Sequence, residues 1–143
     1  MYKEKIMKKL LFTGLALASL SVLNTFAQPA TREATFYTNE STITKDLKPF
    51  VTGGTRPYSF VVNESQNVHR IDDQLGRLIF EVQDHKGNKS GYLSITPNGE
   101  FIFGGFPGAW ETSTFSFTYS ATDANGLTSQ PATVTIIVGQ EKG

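Results

Sequence analysis

His69, Asp72 and Asp73 form a close group of titratable side chains in the middle of the chain. A histidine beside carboxylates is a composition suited to acid–base chemistry. Adjacent residues of an extended chain point to opposite sides, however, so Asp72 and Asp73 are poorly placed to share a proton. No Gly-x-Ser-x-Gly elbow that would expose a nucleophilic serine occurs in the sequence. The sequence predicts a solvated loop here, and a protein that is not an enzyme.

Asp123 and Asn125 are the candidate metal ligands, because their side-chain oxygens suit calcium. A calcium site takes about six to eight oxygens, far more than one short turn supplies. Asn125 precedes Gly126, and this pair is typical of a tight turn, so a plain hairpin turn is favoured over a metal site. His69 and His85 are distant in sequence and cysteine is absent. We therefore expect no metal and no cofactor.

Phe106 and Trp110 lie in a glycine-rich segment, residues 104–112, and Tyr92 lies on a predicted strand before it. Flat aromatic rings offer a large contact area at low entropic cost, so these three residues could stack against a sugar or a peptide. Alternatively, Phe106 and Trp110 fold back and close one end of the core. We favour the second interpretation, because an exposed apolar loop lowers solubility.

Residues 114–138 carry the clearest structural pattern. Aromatic and small apolar residues alternate with Ser and Thr over residues 115–122, and the alternation returns over residues 132–138, after Asn125-Gly126. Strand side chains face opposite sides in turn, and Asn-Gly favours chain reversal. The pattern predicts two antiparallel strands.

Shorter alternating segments separated by Gly, Pro and Asn come earlier in the chain. The predicted strands cover residues 34–37, 41–45, 58–62, 77–83, 91–96 and 100–103. Residues 63–76 are predicted to be the least regular part. With the last pair, this gives an all-β sandwich of seven to eight short strands and almost no helix.

Residues 1–27 have the pattern of a cleaved secretory signal peptide: lysines, an apolar stretch at 10–23, and Ala27 before the expected cleavage point. The predicted organisation is then a polar lead at 28–33, the sandwich at 34–139 and a polar tail at 140–143. Translation could start at Met1 or Met7. We expect an exported bacterial protein, periplasmic or secreted, without a membrane anchor in the mature chain.

The expected mature chain has nine basic and twelve acidic residues, a net charge of −3, with no basic stripe. Nucleic acid is therefore not an expected partner. Without cysteine the domain must rely on its core alone, and a domain of this size can bury roughly two thirds of its unfolded surface.

Four segments, residues 53–60, 91–101, 117–129 and 132–136, resemble in their order bacterial immunoglobulin-like domains, of the cadherin-like or dystroglycan-type repeat kind found in surface adhesins. The resemblance covers about residues 35–138. It implies an immunoglobulin-like Greek-key sandwich that acts as a spacer, stalk or binding module without catalysis.

Two functions from different classes follow as expectations. The first is a non-catalytic module that binds a protein partner, in adhesion or in a surface or periplasmic assembly, through end loops or a strand edge. The alternative is a carbohydrate-binding module for a cell-surface glycan that uses Phe106, Trp110 and Tyr92. A hydrolase built on His69 and the two aspartates is the least favoured.

Overall fold

The computed structural model describes residues 27–74, 77–104 and 112–139, with residues 72–74 and 77 described by their backbone only. Over this part the chain is nearly all β, with one 3-10 turn at Lys48–Phe50. The strands are β1 (Ala30–Thr31), β2 (Ala34–Thr38), β3 (Thr42–Asp46), β4 (Val51–Thr52), β5 (Ser59–Asn63), β6 (Val68–Gln74), β7 (Arg77–Gln83), β8 (Ser90–Ile95), β9 (Glu100–Gly104), β10 (Ser113–Thr122) and β11 (Ala132–Val138).

Two large sheets pack into a sandwich. One has four strands in the order β2-β11-β10-β5, the other has five in the order β3-β9-β8-β7-β6, and β1 pairs separately with β4. All neighbours are antiparallel except β2, which runs parallel to β11. The chain changes sheet between β2 and β3, β3 and β5, β5 and β6, and β9 and β10. This all-β architecture is compatible with the expected immunoglobulin-like Greek key.

The predicted pairing within residues 114–138 is confirmed. β10 and β11 are antiparallel, with Phe115 opposite Ile136 and Phe117 opposite Val134. Burial alternates along most of both strands: the aromatic residues of β10 and Val134 and Ile136 of β11 are buried, whereas most of the intervening Ser and Thr residues are partly exposed. Alternation in the sequence thus selected the face that meets the other sheet.

Aromatic rings from both sheets interlock in the core. Phe103 of the five-stranded sheet meets Phe115 of the four-stranded sheet with ring centroids 5.0 Å apart. Phe101 and Phe117 form a similar edge-to-face pair at 5.6 Å. Gly91 on β8 lies directly beneath the Phe103 ring, where an added Cβ would overlap ring carbons. The glycine therefore makes room for this ring at the centre of the sandwich.

The described part contains eleven strands, more than the seven or eight expected. Most of the excess is short, since β1 and β4 have two residues each. β1 lies in the predicted polar lead, and β6 lies in the stretch that was predicted to be irregular. β6 pairs with β7 across a register shift between Arg70 and Asp72. Such a bulge breaks the alternation that identifies a strand in a sequence.

The predicted signal peptide lies almost wholly outside the described residues. Within residues 27–139 that are described, no helix has the length and apolar character to cross a membrane.

Candidate functional site

Three loops from distant parts of the sequence form a cleft at one end of the sandwich. The cleft has a volume of about 580 Å³ and is lined by Lys48, Pro49, Arg56, Pro57, Tyr58 and Asn98. We refer to it as the loop cleft. Lys48 and Pro49 belong to the 3-10 turn after β3, Asn98 to the turn between β8 and β9, and the other three residues to the loop before β5.

The loop before β5 is fixed through Thr55. Its N–H donates to Asp123 Oδ2 at 3.0 Å, and its carbonyl accepts from the Ala124 N–H at 2.8 Å. Asn125 Nδ2 donates to Thr55 Oγ1 at 3.0 Å. The turn after β10 therefore holds the residue next to Arg56 by three hydrogen bonds.

Asp123 organises that turn with its buried carboxylate. Oδ1 accepts the N–H groups of Asn125 and Leu127 at 2.9 and 3.0 Å. Burial acts to raise the pKa of Asp123, but the backbone N–H groups of Leu127, Thr55 and Asn125 lower it more. The net effect is a pKa below the usual value, because these donors favour the charged form.

These contacts bear directly on the calcium expectation for Asp123 and Asn125. Both carboxylate oxygens of Asp123 already accept backbone N–H groups, and the Asn125 side chain donates to Thr55. The geometry gives the pair a structural role as a hydrogen-bonded turn. In the described part of the chain, no group of three His, Asp or Glu side chains is arranged to hold a metal ion.

The opposite wall of the loop cleft is fixed as well. Arg32 Nη2 donates to the Pro49 carbonyl at 2.8 Å, and its guanidinium lies 5.6 Å from the Phe50 ring centroid. Lys48 Nζ donates to the Asn98 carbonyl at 3.2 Å and lies 3.2 Å from Asp46 Oδ2. These contacts tie the 3-10 turn to the residue that follows β1 and to the β8–β9 turn.

The turn that contains Asn98 is fixed by backbone hydrogen bonds from two other segments of the chain. The Leu47 N–H donates to the Gly99 carbonyl at 3.0 Å, and the Phe60 N–H donates to the Pro97 carbonyl at 2.8 Å. Gly99 has φ +98°, and an added Cβ would lie 2.9 Å from carbons of the Phe60 ring. Glycine is therefore required for both the backbone conformation and the close approach.

The polar side chains of the loop cleft differ in how many hydrogen bonds or ion pairs they already make. The Tyr58 hydroxyl donates to the Gly53 carbonyl at 2.6 Å, leaving the flat ring as part of the lining. Lys48 has Asp46 and Asn98 as partners. Across the described ranges, no hydrogen bond or ion pair is made by the exposed guanidinium of Arg56. Within that part of the chain, Arg56 thus offers an unpaired planar cation in a cleft that Pro49, Pro57 and Tyr58 also line.

Tyr92, one of the predicted aromatic contacts, lies on the outer face of the five-stranded sheet with 45% of its surface exposed. It is opposite Gly104, the last described residue before the segment that contains the other two aromatic candidates. Ile102, 37% exposed, lies on the same face of the neighbouring strand. Phe106 and Trp110 lie outside the described residues.

The close group of titratable residues in the middle of the chain lies on a strand and not in a loop. His69, Asp72 and Asp73 belong to β6, opposite Glu81, Ile79 and Leu78 of β7. His69 Nε2 lies 3.0 Å from the Gln66 carbonyl. The predicted solvated loop was therefore wrong about local structure, because pairing with β7 makes this polar segment an edge strand.

A histidine–serine contact was missed in the sequence. His85 Nε2 lies 2.8 Å from Ser116 Oγ, although 31 residues separate them. A nucleophilic serine also needs a group that orients the histidine and N–H donors for the oxyanion. Asp84, the adjacent carboxylate, instead accepts the N–H groups of Asn88 and Lys89. We therefore assign the His85–Ser116 contact to fixing the β7–β8 turn on β10.

The loop cleft was likewise not identified from sequence. Pro49, Arg56, Pro57 and Asn98 were interpreted as parts of loops and turns and Tyr58 as the start of a strand, although Arg56-Pro57 and Lys48-Pro49 both place a cation beside a proline. Comparisons with known protein families, curated proteins and solved structures find no match to this chain. Function must therefore be argued from the site itself.

Proposed function

We propose that this protein is an exported, non-catalytic immunoglobulin-like module that binds a protein partner through the loop cleft. The observation that carries the proposal is Arg56, whose guanidinium is unpaired among the described residues and which lines, with Pro49, Pro57 and Tyr58, a cleft whose walls are fixed by hydrogen bonds. Binding sites in sandwich domains are commonly built from loops on a rigid scaffold.

The fixed walls favour recognition. Thr55 holds one wall to the Asp123 turn, and Arg32 holds the other through the Pro49 carbonyl. A surface that is already ordered loses little conformational entropy when a partner binds, so more of the contact energy appears as affinity. The mixture of apolar rings and a few fixed polar groups is typical of ligand sites. This supports a binding role, in adhesion or in a surface or periplasmic assembly.

Phage display of random peptides against the immobilised mature chain tests the proposal. Selected peptides would then be titrated into ¹⁵N-labelled protein. We expect the largest chemical-shift changes at Lys48, Arg56, Tyr58 and Asn98. Signals of Lys86, in the turn at the other end of β8, serve as the internal control. Peptides that map away from the loop cleft, or a library without binders, would contradict the proposal.

Exposure of Tyr92 favours a second candidate, carbohydrate binding. Its ring lies on the outer face of a sheet, beside the small residue Gly104, and such a surface can stack against a sugar ring. A glycan array probed with wild type and Tyr92→Ala tests this. Tyr37→Ala is the matched control, because Tyr37 is an aromatic of similar exposure, 41%, on the other sheet. Glycan signals lost only in Tyr92→Ala support the candidate, and equal signals in all three proteins exclude Tyr92 as the site.

A further inference from the structure

We infer that the loop cleft recognises an acidic peptide segment, with an Asp or Glu carboxylate bound by Arg56 and neighbouring apolar or proline side chains packed against Pro49, Pro57 and Tyr58. The inference rests on the proposed binding function and specifies the chemistry of the partner. It follows from the charges in the cleft, from its apolar lining residues and from the small number of polar side chains there that have no partner among the described residues.

The charge of the cleft favours an anion. Lys48 is accompanied by Asp46 at 3.2 Å, so their charges largely offset each other. The guanidinium of Arg56 has no such counter-charge within the described part of the chain, and Arg32 adds a further cation behind Pro49. Guanidinium presents paired donors whose spacing matches the two oxygens of a carboxylate. Arg56 is therefore the expected anchor.

The apolar lining of the cleft favours a peptide over an acidic sugar as the ligand. The lining is mainly apolar and includes Pro49, Pro57 and Tyr58, and the Tyr58 hydroxyl is already bonded to the Gly53 carbonyl. A sugar presents several hydroxyl groups, each of which needs a partner when it leaves water. Apolar and proline side chains need none, and aromatic and proline-lined grooves commonly bind extended proline-containing peptides. The apolar lining therefore favours a peptide.

Two synthetic peptide libraries test the inference. Both consist of N-acetylated, C-amidated heptapeptides with Pro, Phe, Leu and Val at the flanking positions, and they differ only in a central Glu or Gln. Each would be titrated into the ¹⁵N-labelled mature chain. We expect the Glu library to shift the Lys48, Arg56 and Tyr58 signals at about tenfold lower concentration, as is typical of a hydrogen bond to a charged group. Added salt should reduce this difference in affinity between the Glu and Gln libraries, because dissolved ions screen the charges.

Two matched variants locate the effect. Arg56→Gln should abolish the preference for Glu, and Lys86→Gln, which removes an exposed cation at the other end of the sandwich, should preserve it. Because Arg56 is exposed and makes no hydrogen bond or ion pair among the described residues, its replacement should leave the ¹⁵N spectrum of the fold intact.

Each contrary outcome has a distinct meaning. Equal binding of both libraries at the loop cleft would overturn the carboxylate inference and leave the proposed binding function standing. No binding of either library, together with a phage selection that yields no cleft binder, would overturn both. Oligogalacturonate that binds at Arg56 more tightly than the Glu library would replace the peptide by an acidic glycan.

Discussion

The Asp123 carboxylate accepts the Thr55 backbone N–H at 3.0 Å, a contact between residues 68 positions apart in the sequence. It joins the turn after β10 to the loop that carries Arg56. The same carboxylate accepts two N–H groups of its own turn. One buried side chain therefore fixes both the closing turn of the sandwich and one wall of the loop cleft.

Asp123→Ala is expected to lower the stability of the fold and to loosen the loop cleft, because three backbone N–H groups lose their acceptor. Urea denaturation should show a lower midpoint, and amide exchange at Thr55 should become faster. Asn125→Ala, which removes a single bond to Thr55, is the control and should have the smaller effect. Unchanged exchange at Thr55 in Asp123→Ala would refute this role.

Stability should decrease in acid through Asp123. Its pKa is lowered from the usual value near 3.8, since its N–H donors outweigh the effect of burial. The charged carboxylate stabilises the folded state above the unfolded pKa, and this contribution is lost as the pH falls through the lower folded pKa. Denaturation midpoints of wild type and Asp123→Asn should therefore converge below about pH 4. A difference that stays constant from pH 7 to pH 2 would contradict the prediction.

Gly91→Ala should destabilise the core, because the added Cβ overlaps the ring of Phe103. Overpacking of this kind costs about 1–3 kcal/mol of the free energy of unfolding. Replacing Phe103 with Leu in the Gly91→Ala background should recover part of the loss, since the smaller side chain can leave the space. Additive effects of the two substitutions in a double-mutant cycle would show that the contact is not the cause.

Tyr119→Phe should remove the hydrogen bond from the buried hydroxyl to the Arg32 carbonyl at 2.8 Å. The expected loss is about 1 kcal/mol in the free energy of unfolding, typical of one hydrogen bond. Thermal and urea unfolding at pH 7 measure it, with Tyr92→Phe as the control at an exposed ring. Equal stability of Tyr119→Phe and wild type would show that the bond contributes nothing.

The pH dependence of stability in alkaline solution is a second, independent test of the role of Tyr119. Burial raises its pKa above 10.0, against the smaller lowering effects of the Arg32 hydrogen bond and charge. Its contribution is present below the unfolded pKa and is lost as the pH rises through the higher folded pKa. Wild type should lose stability above about pH 10 more steeply than Tyr119→Phe. Parallel pH profiles would contradict this assignment.

Most of the strands can be located from local patterns of residue types. The strand predicted over residues 77–83, with Leu78, Phe80 and Val82 on one face, matches β7 over its whole length, and the repeated alternation after residue 114 predicted the β10–β11 pair. Period-two burial is a local property, because each strand residue faces the side opposite to its neighbours. β6 escaped this reasoning, since its bulge and polar residues hide the period and its strand character depends on β7.

The loop cleft, in contrast, arises from contacts between segments that are far apart in the chain. Lys48, Arg56 and Asn98 lie on three separate loops, and each is locally an ordinary turn residue. Pairing of β3 with β9 and of β5 with β10 places these loops at the same end of the sandwich. Long-range hydrogen bonds from Asp123 and Arg32 then fix their relative positions. Such contacts depend on sheet register over dozens of residues, and local sequence patterns do not carry that information.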